Sequence, residues 1–488
     1  MKIKEKNKTI IIGIIIFLFS LCICFAFLRP HYTHDTYNIA RQGYVQYAQD
    51  RFIKEARPFS AMLNILAELI HLPIDSYMLL SFLLSLVFLS MSVVIIYQLL
   101  KSELESKDTK WNVMLLLVSY LMIFSYMAVE HILFLESCIL GLSVLLTILA
   151  VKVIIVGGKY AYAKAMLLLF LAVFSYQGSI GLFPIFLMTY YFFIHPIETK
   201  KAMKITIITW MMYIMAMAAT VIFVKVFFGG SRIQIGTVTV GIVQLIENLK
   251  QLVINSLYVI PKYFHVGILL LTIVWLAFMS KMSVKGRIKS IFQYGLILLT
   301  AIGICIAPIL LGSGLTLQPR MCITYGSTIG ISLLIMLLTI RIDSVKYTKS
   351  ILYSIIVISV IFNSGIYLIL TNQHMEVNQR DKQACEQIEK IIQKYEKENQ
   401  IEVTKIAGTL KYNNKKYDDD MIPIEEYTQR SLGSWALRDT VIFYTKRNME
   451  IAPISRQQYL EYFGDKNWDE FSEEQVVIIG DTLYLCAY

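Results

Sequence analysis

The chain has 488 residues, of which 56% are hydrophobic and 16% charged, with a mean hydropathy of +0.59. Apolar runs of roughly 18 or more residues recur along it, which excludes a soluble globular class and reads as a polytopic α-helical membrane protein. The net charge of +10 does not mark a nucleic-acid binder, because most bases of the first 370 residues sit in short loops and read as orientation signals.

In chain order, MKIKEKNK precedes an apolar run, Thr9 to Leu28, that is long enough to span and has no small-residue cleavage site after it. It reads as a retained signal anchor. About 11 transmembrane helices are expected, near residues 9–28, 77–100, 111–128, 137–156, 165–176, 179–194, 205–228, 264–280, 290–311, 323–340 and 348–370. The fifth and sixth share one apolar run and are divided at SYQGS, residues 175–179. Alternate loops collect Lys and Arg, from Lys2, Lys4, Lys6 and Lys8 through Lys281, Lys285 and Arg287 to Arg341, Lys346 and Lys349. Placing these inside puts the N-terminus in the cytoplasm and the C-terminus outside the cytoplasmic membrane.

Two large loops, 29–76 and 229–263, then face outward. Residues 1–370 form the membrane domain, and 371–488 form an extracytoplasmic soluble α/β domain with 21 Asp and Glu against 15 Lys and Arg. In that domain, 401–410 and 476–486 read as strands, and the DDD of KYNNKKYDDD reads as solvated. Of the cysteines, Cys385 and Cys486 fall here, either bridged or free; the other five lie in or near spans as small apolar packing residues.

The first outer loop holds Asp35, Arg41, Asp50, Arg51, Lys54, Glu55 and Arg57. Tyr37, Ala40, Tyr44 and Tyr47 recur at helical spacing, and Pro58 opens a second helix with Ser60, Asn64 and Glu68 on one side and Phe59, Met62, Leu66 and Leu69 on the other. Such helices either lie in the membrane interface with polar edges toward a cavity or merely cap the bundle. Asp35 sits where a lipid headgroup would lie. It could take a proton from an attacking hydroxyl, pair with Arg41 or Arg57, or cap a helix. Glu136 opens the fourth span, where an acid near hydrocarbon needs a cavity or partner. Glu130 and His131 read as lying at the water boundary. Arg320 follows Pro319 into the tenth span and calls for a carboxylate or a lipid phosphate. Arg232, Lys262 and His265 are further outer-face donors.

These stretches resemble, in order, the motifs of the polytopic Gtr type-two glucosyl transferases, which modify surface polysaccharides. They are HDTYNIARQG, EARPFSAML, FLES, SYQGS and QPRMCITYG, spread over roughly residues 25–335. The resemblance implies a GT-C-like fold with an outward active site and a polyprenyl-phosphate sugar, usually glucose, as donor. It implies Asp35 as catalytic base, with Arg57 and Arg320 on the phosphate. Glu136 and Gln177 take substrate-side positions. Arg41 and Lys262 are read as further phosphate contacts, and Tyr176 and His34 as further substrate contacts. The family's acidic pair is reduced here to one Asp, with His34 and Thr36 beside it, and its other motifs stand as ARP and LES. No metal ligands are assigned and no cofactor is certain, with a divalent metal left open. The partners implied are the donor, a polysaccharide or lipid-linked acceptor, the bilayer, and a synthase and flippase that supply the donor. Two other classes stay open: an exporter of lipid-linked oligosaccharide, and a polysaccharide polymerase or ligase.

Overall fold

A computed structural model describes residues 2–104, 106, 108–228, 242–279, 282–311, 317–342, 346–411, 417–464, 466, 468 and 470–487. Arg232 and Lys281, much of the second outer loop (229–241) and residues 412–416 lie outside the described residues. Among the described residues, seven helices are long and apolar enough to cross a membrane: Ile74–Leu104, Ser137–Val156, Gln177–Ile194, Thr199–Phe227, Val284–Ala307, Pro319–Ile340 and Tyr347–Asn399. An eighth candidate is Thr109–Ile123 with Tyr126–Ile132, bent by 64° at its break. Shorter apolar helices cover Asn7–Ile23, Pro58–Leu69, Ala161–Ser175 and Phe264–Phe278.

Burial ranks the spans. Only 33% of the apolar window of Thr199–Phe227 is covered by protein, and Ile207, Met211, Ile214 and Phe227 face outward, as suits acyl chains. Pro319–Ile340 is 89% buried and runs through the middle. Small residues let helices approach closely. At Gly141 a Cβ would stand 2.8 Å from Ser85 Oγ, and that hydroxyl itself donates to the His131 carbonyl at 2.7 Å.

Local breaks in the helices position the site. The bend after Ile123 turns residues 126–132 into a buried 3-10 segment that carries Glu130 and His131 inside the protein. Both are fully buried inside the protein, where the segment packs between the spans. Tyr176 is extended between helix Ala161–Ser175 and the short turn Gln177–Ser179, so the long apolar run is interrupted there. In the first loop, Thr33 and Thr36 form a capping box that starts helix His34–Gln42, and Gly43 ends it at φ 87°. Pro58 opens helix Pro58–Leu69. Its sense is inverted relative to a helix in water. Ser60 and Asn64 are buried, with Asn64 accepting from Tyr77 Oη at 2.8 Å, while Met62, Leu66 and Leu69 are exposed.

One helix runs unbroken from Lys346 to Asn399, so the boundary drawn at 370/371 falls inside it. Its far end, with Cys385, Ile388 and Ile392, packs on Ile406, Leu437, Val441, Leu483 and Leu485. The strands are β1 (Lys405–Leu410), β2 (Glu450–Ile451), β3 (Val476–Ile479) and β4 (Thr482–Ala487), in the order β2-β1-β4-β3. β1 is parallel to both neighbours, with Lys405 opposite Thr482, and β3 and β4 are antiparallel. Arg447 ties the sheet side to the helix through Glu389 at 2.6 Å and Glu396 at 2.7 Å. Residues around 424–427 return to the membrane-side core, where Tyr427 Oη donates to the Val129 carbonyl at 2.8 Å. Asp418 and Asp420 of the DDD run are not simply solvated; both pair with Arg380, Asp420 at 3.3 Å. Cys385 and Cys486 are free and buried, as packing residues.

Candidate functional site

The end of the bundle where helices 109–123 and 161–175 finish and 137–156 and 319–340 begin holds a dense set of ionisable side chains. Asp35 lies in the first turn of its helix, a favourable place for a carboxylate. Tyr47 donates to its Oδ1 at 2.6 Å. Burial first, then the Asp35 charge, pushes the Tyr47 phenol well up, so it stays protonated and serves as a donor.

Arg57 caps the helix opened by Pro58 and follows Ala56, whose φ of 57° is left-handed without being glycine. Gln177 Nε2 holds this strained corner, donating to the Glu55 and Ala56 carbonyls, each at 3.1 Å. The Arg57 guanidinium lies 3.6 Å from Glu55, 4.0 Å from Glu136 and 5.1 Å from the Tyr176 ring centroid. Burial opposes its charge, and Glu55, Tyr176 and Glu136 outweigh that effect. Gln177→Ala should therefore free the Arg57 corner. Losing two hydrogen bonds costs about 2 kcal/mol, read as a lower midpoint of thermal inactivation, whereas Gln177→Glu should fail more severely by setting a carboxylate against two carbonyls.

Arg320 is the second fixed cation. Its backbone N–H and Nη1 both donate to Glu130 Oε2 at 3.1 Å, and Nη2 reaches Glu426 Oε1 at 3.5 Å. Its guanidinium also stands 4.6 Å from the Phe134 ring centroid. Gly178 is required beneath it, since a Cβ there would meet the Tyr176 ring at 2.6 Å and the Arg320 carbonyl at 2.8 Å. His131 Nε2 bonds Ser179 Oγ at 3.2 Å. Three buried polar atoms of this cluster have no hydrogen-bond partner among the described residues: Arg57 Nε, Glu130 Oε1 and Glu426 Oε2. Buried polar groups without partners are rare in native proteins, and their concentration at one place suits a polar ligand or water.

Arg57, Glu136, Tyr176, Gln177 and Arg320 thus come together, and Asp35 is near enough to act electrostatically on Glu136 and Arg320. Four other sequence candidates are held in other contacts. Arg41 is ion-paired with Asp439, which also accepts from Asn38 at 3.1 Å, so it fastens the first loop to the C-terminal segment. Lys262 is exposed over Tyr263, in a surface hollow shared with Asn255, Asp419 and Asp420. His34 is buried with its ring 6.1 Å from Trp435; burial above all pushes its pKa down and keeps it neutral. Its role is packing against the C-terminal segment. His265 points into the protein, between Tyr126 Oη at 2.5 Å and Thr328 Oγ1 at 2.8 Å.

Sequence reasoning missed Glu130 and Glu426 as partners of Arg320. The signal for Glu130 was a lone acid within YMAVEHILF; Glu426 carried none. Among the described residues, no group of three or more His, Cys, Asp or Glu side chains could hold a metal ion. Compared with models of known protein families and with curated proteins, the chain matches none.

Proposed function

We propose that this chain is a membrane glycosyltransferase of GT-C type. It moves a sugar, glucose by the motif resemblance, from a polyprenyl phosphate to a surface or lipid-linked polysaccharide. The seven long helices, the bent pair, and helices Asn7–Ile23, Ala161–Ser175 and Phe264–Phe278 are read as eleven spans. The N-terminus then lies in the cytoplasm, and residues 371–488, with the four-stranded sheet, form an extracytoplasmic α/β domain. The reading is carried by one observation: two guanidiniums, Arg57 and Arg320, are held at one end of the bundle, and Asp35, with its Oδ1 fixed by Tyr47, acts electrostatically on Arg320.

In this mechanism Asp35 takes the proton of the acceptor hydroxyl as its oxygen attacks the anomeric carbon. The bond from that carbon to the phosphate oxygen breaks, its electron pair stays on phosphate, and the configuration inverts. Arg57 and Arg320 stabilise the charge gathering there. Glu136 and Glu130 keep the two cations oriented. Purified full-length protein in lipid discs, given undecaprenyl-phosphate glucose and a polysaccharide acceptor, should form glycosylated acceptor and release undecaprenyl phosphate. Elongation of a pyrophosphate-linked glycan instead would make it a polymerase or ligase. Translocation of a lipid-linked oligosaccharide without chemistry would make it an exporter.

A further inference from the structure

The carboxylates around the two arginines outnumber them. Asp35, Glu55, Glu130, Glu136 and Glu426 act on Arg57 or Arg320. Glu130 is the close, doubly bonded partner of Arg320, at 3.1 Å to both the backbone N–H and Nη1. Glu426 is the loose one, at 3.5 Å, with its second oxygen buried and unpartnered. It comes from a four-residue helical turn, Glu425–Thr428, whose neighbour Tyr427 is locked into the membrane-side core by its bond to Val129. The C-terminal segment therefore holds a second carboxyl group against Arg320, on an anchored backbone.

Building on the phosphate reading of Arg320, we infer that Glu426 sets the charge selectivity of this site, admitting a phosphodiester monoanion and repelling a phosphomonoester dianion. The donor is a diester with one charge. Transfer breaks its sugar–oxygen bond and leaves the monoester, which carries one more negative charge above its second pKa of about 6. Repulsion by Glu426 acts on each ligand charge, so it opposes the product more than the donor and promotes product release. The groups facing Glu426 are Arg320, Asp35, Glu425 and Glu130. Burial first, with Arg320 pulling the other way, brings its carboxyl up to about 7, so the test is run above that value, at pH 8. Acting through Arg320 and through space, Glu426 is a positioning and selectivity residue.

The test uses the full-length protein in lipid discs at pH 8, with farnesyl phosphate as monoester and farnesyl methyl phosphate as diester, each titrated to a Kd. In the wild type the diester should bind more tightly than the monoester. Glu426→Gln keeps the shape and removes the charge. If it tightens the diester by a factor f of about 5, the monoester should tighten by about f², and the preference falls about fivefold. Glu426→Asp keeps the charge and should keep the wild-type preference. Equal tightening of both ligands in Glu426→Gln, or the same loss of preference in Glu426→Asp, overturns the inference while leaving the phosphate site standing. Binding of neither ligand by wild type removes the phosphate site and the inference with it.

Discussion

Asp35→Asn is expected to lower sugar transfer by about 10²–10⁴-fold, the usual contribution of a positioned general base. The substitution is nearly isosteric. The amide oxygen can still accept from Tyr47, so the bond at 2.6 Å survives and the helix keeps its Thr33–Thr36 cap. What is lost is the ability to receive a proton. The loss should therefore fall on kcat, with donor binding little changed, because the proposed mechanism gives the phosphate contacts to Arg57 and Arg320. Tyr47→Phe should have a smaller effect, since it removes only the group that orients Asp35. Transfer measured at matched protein level, with a separate donor Kd, checks both statements. An Asp35→Asn protein that transfers sugar at the wild-type rate would dismiss Asp35 as the base.

Much of this arrangement was legible in the sequence for a physical reason. Hydrocarbon thickness sets a minimum apolar length, so long runs show the spans directly. A charge beside such a run is costly, which is why Glu136 and Arg320 stood out. Gln177 stood out through the SYQGS motif of the resemblance, at the break between two spans. The rest depended on solvent or on distant chain. Helix Pro58–Leu69 was readable as two-faced, but which face turns inward depends on whether water or lipid surrounds it. Met62, Leu66 and Leu69 are exposed, as a lipid-facing side would be. Arg41 looked like a phosphate ligand until Asp439, 398 residues away, took it. Glu426 sits in an ordinary polar stretch, and only the return of the chain to Tyr427's socket makes it a partner of Arg320.

Arg320 should be the least replaceable cation, and two variants together separate its structural role from its chemical one. Arg320→Ala leaves Glu130, whose side chain is 1% exposed, as a buried acid stripped of its partner. Breaking a buried pair from one side costs about 3–5 kcal/mol, enough to empty the membrane of folded protein. The double variant Arg320→Ala with Glu130→Gln removes both charges and should recover much of the folded population, read as a monodisperse peak in size-exclusion chromatography. It should not recover transfer, because the cation proposed to meet the phosphate is still missing. Arg320→Lys should fold, yet a single ammonium cannot serve the Glu130 carboxylate, Glu426 and a phosphate at once as the forked guanidinium can. Donor affinity should then fall roughly tenfold or more. A double variant that regains both fold and full transfer would mean that Arg320 serves Glu130 alone, and the phosphate would have to be sought at Arg57.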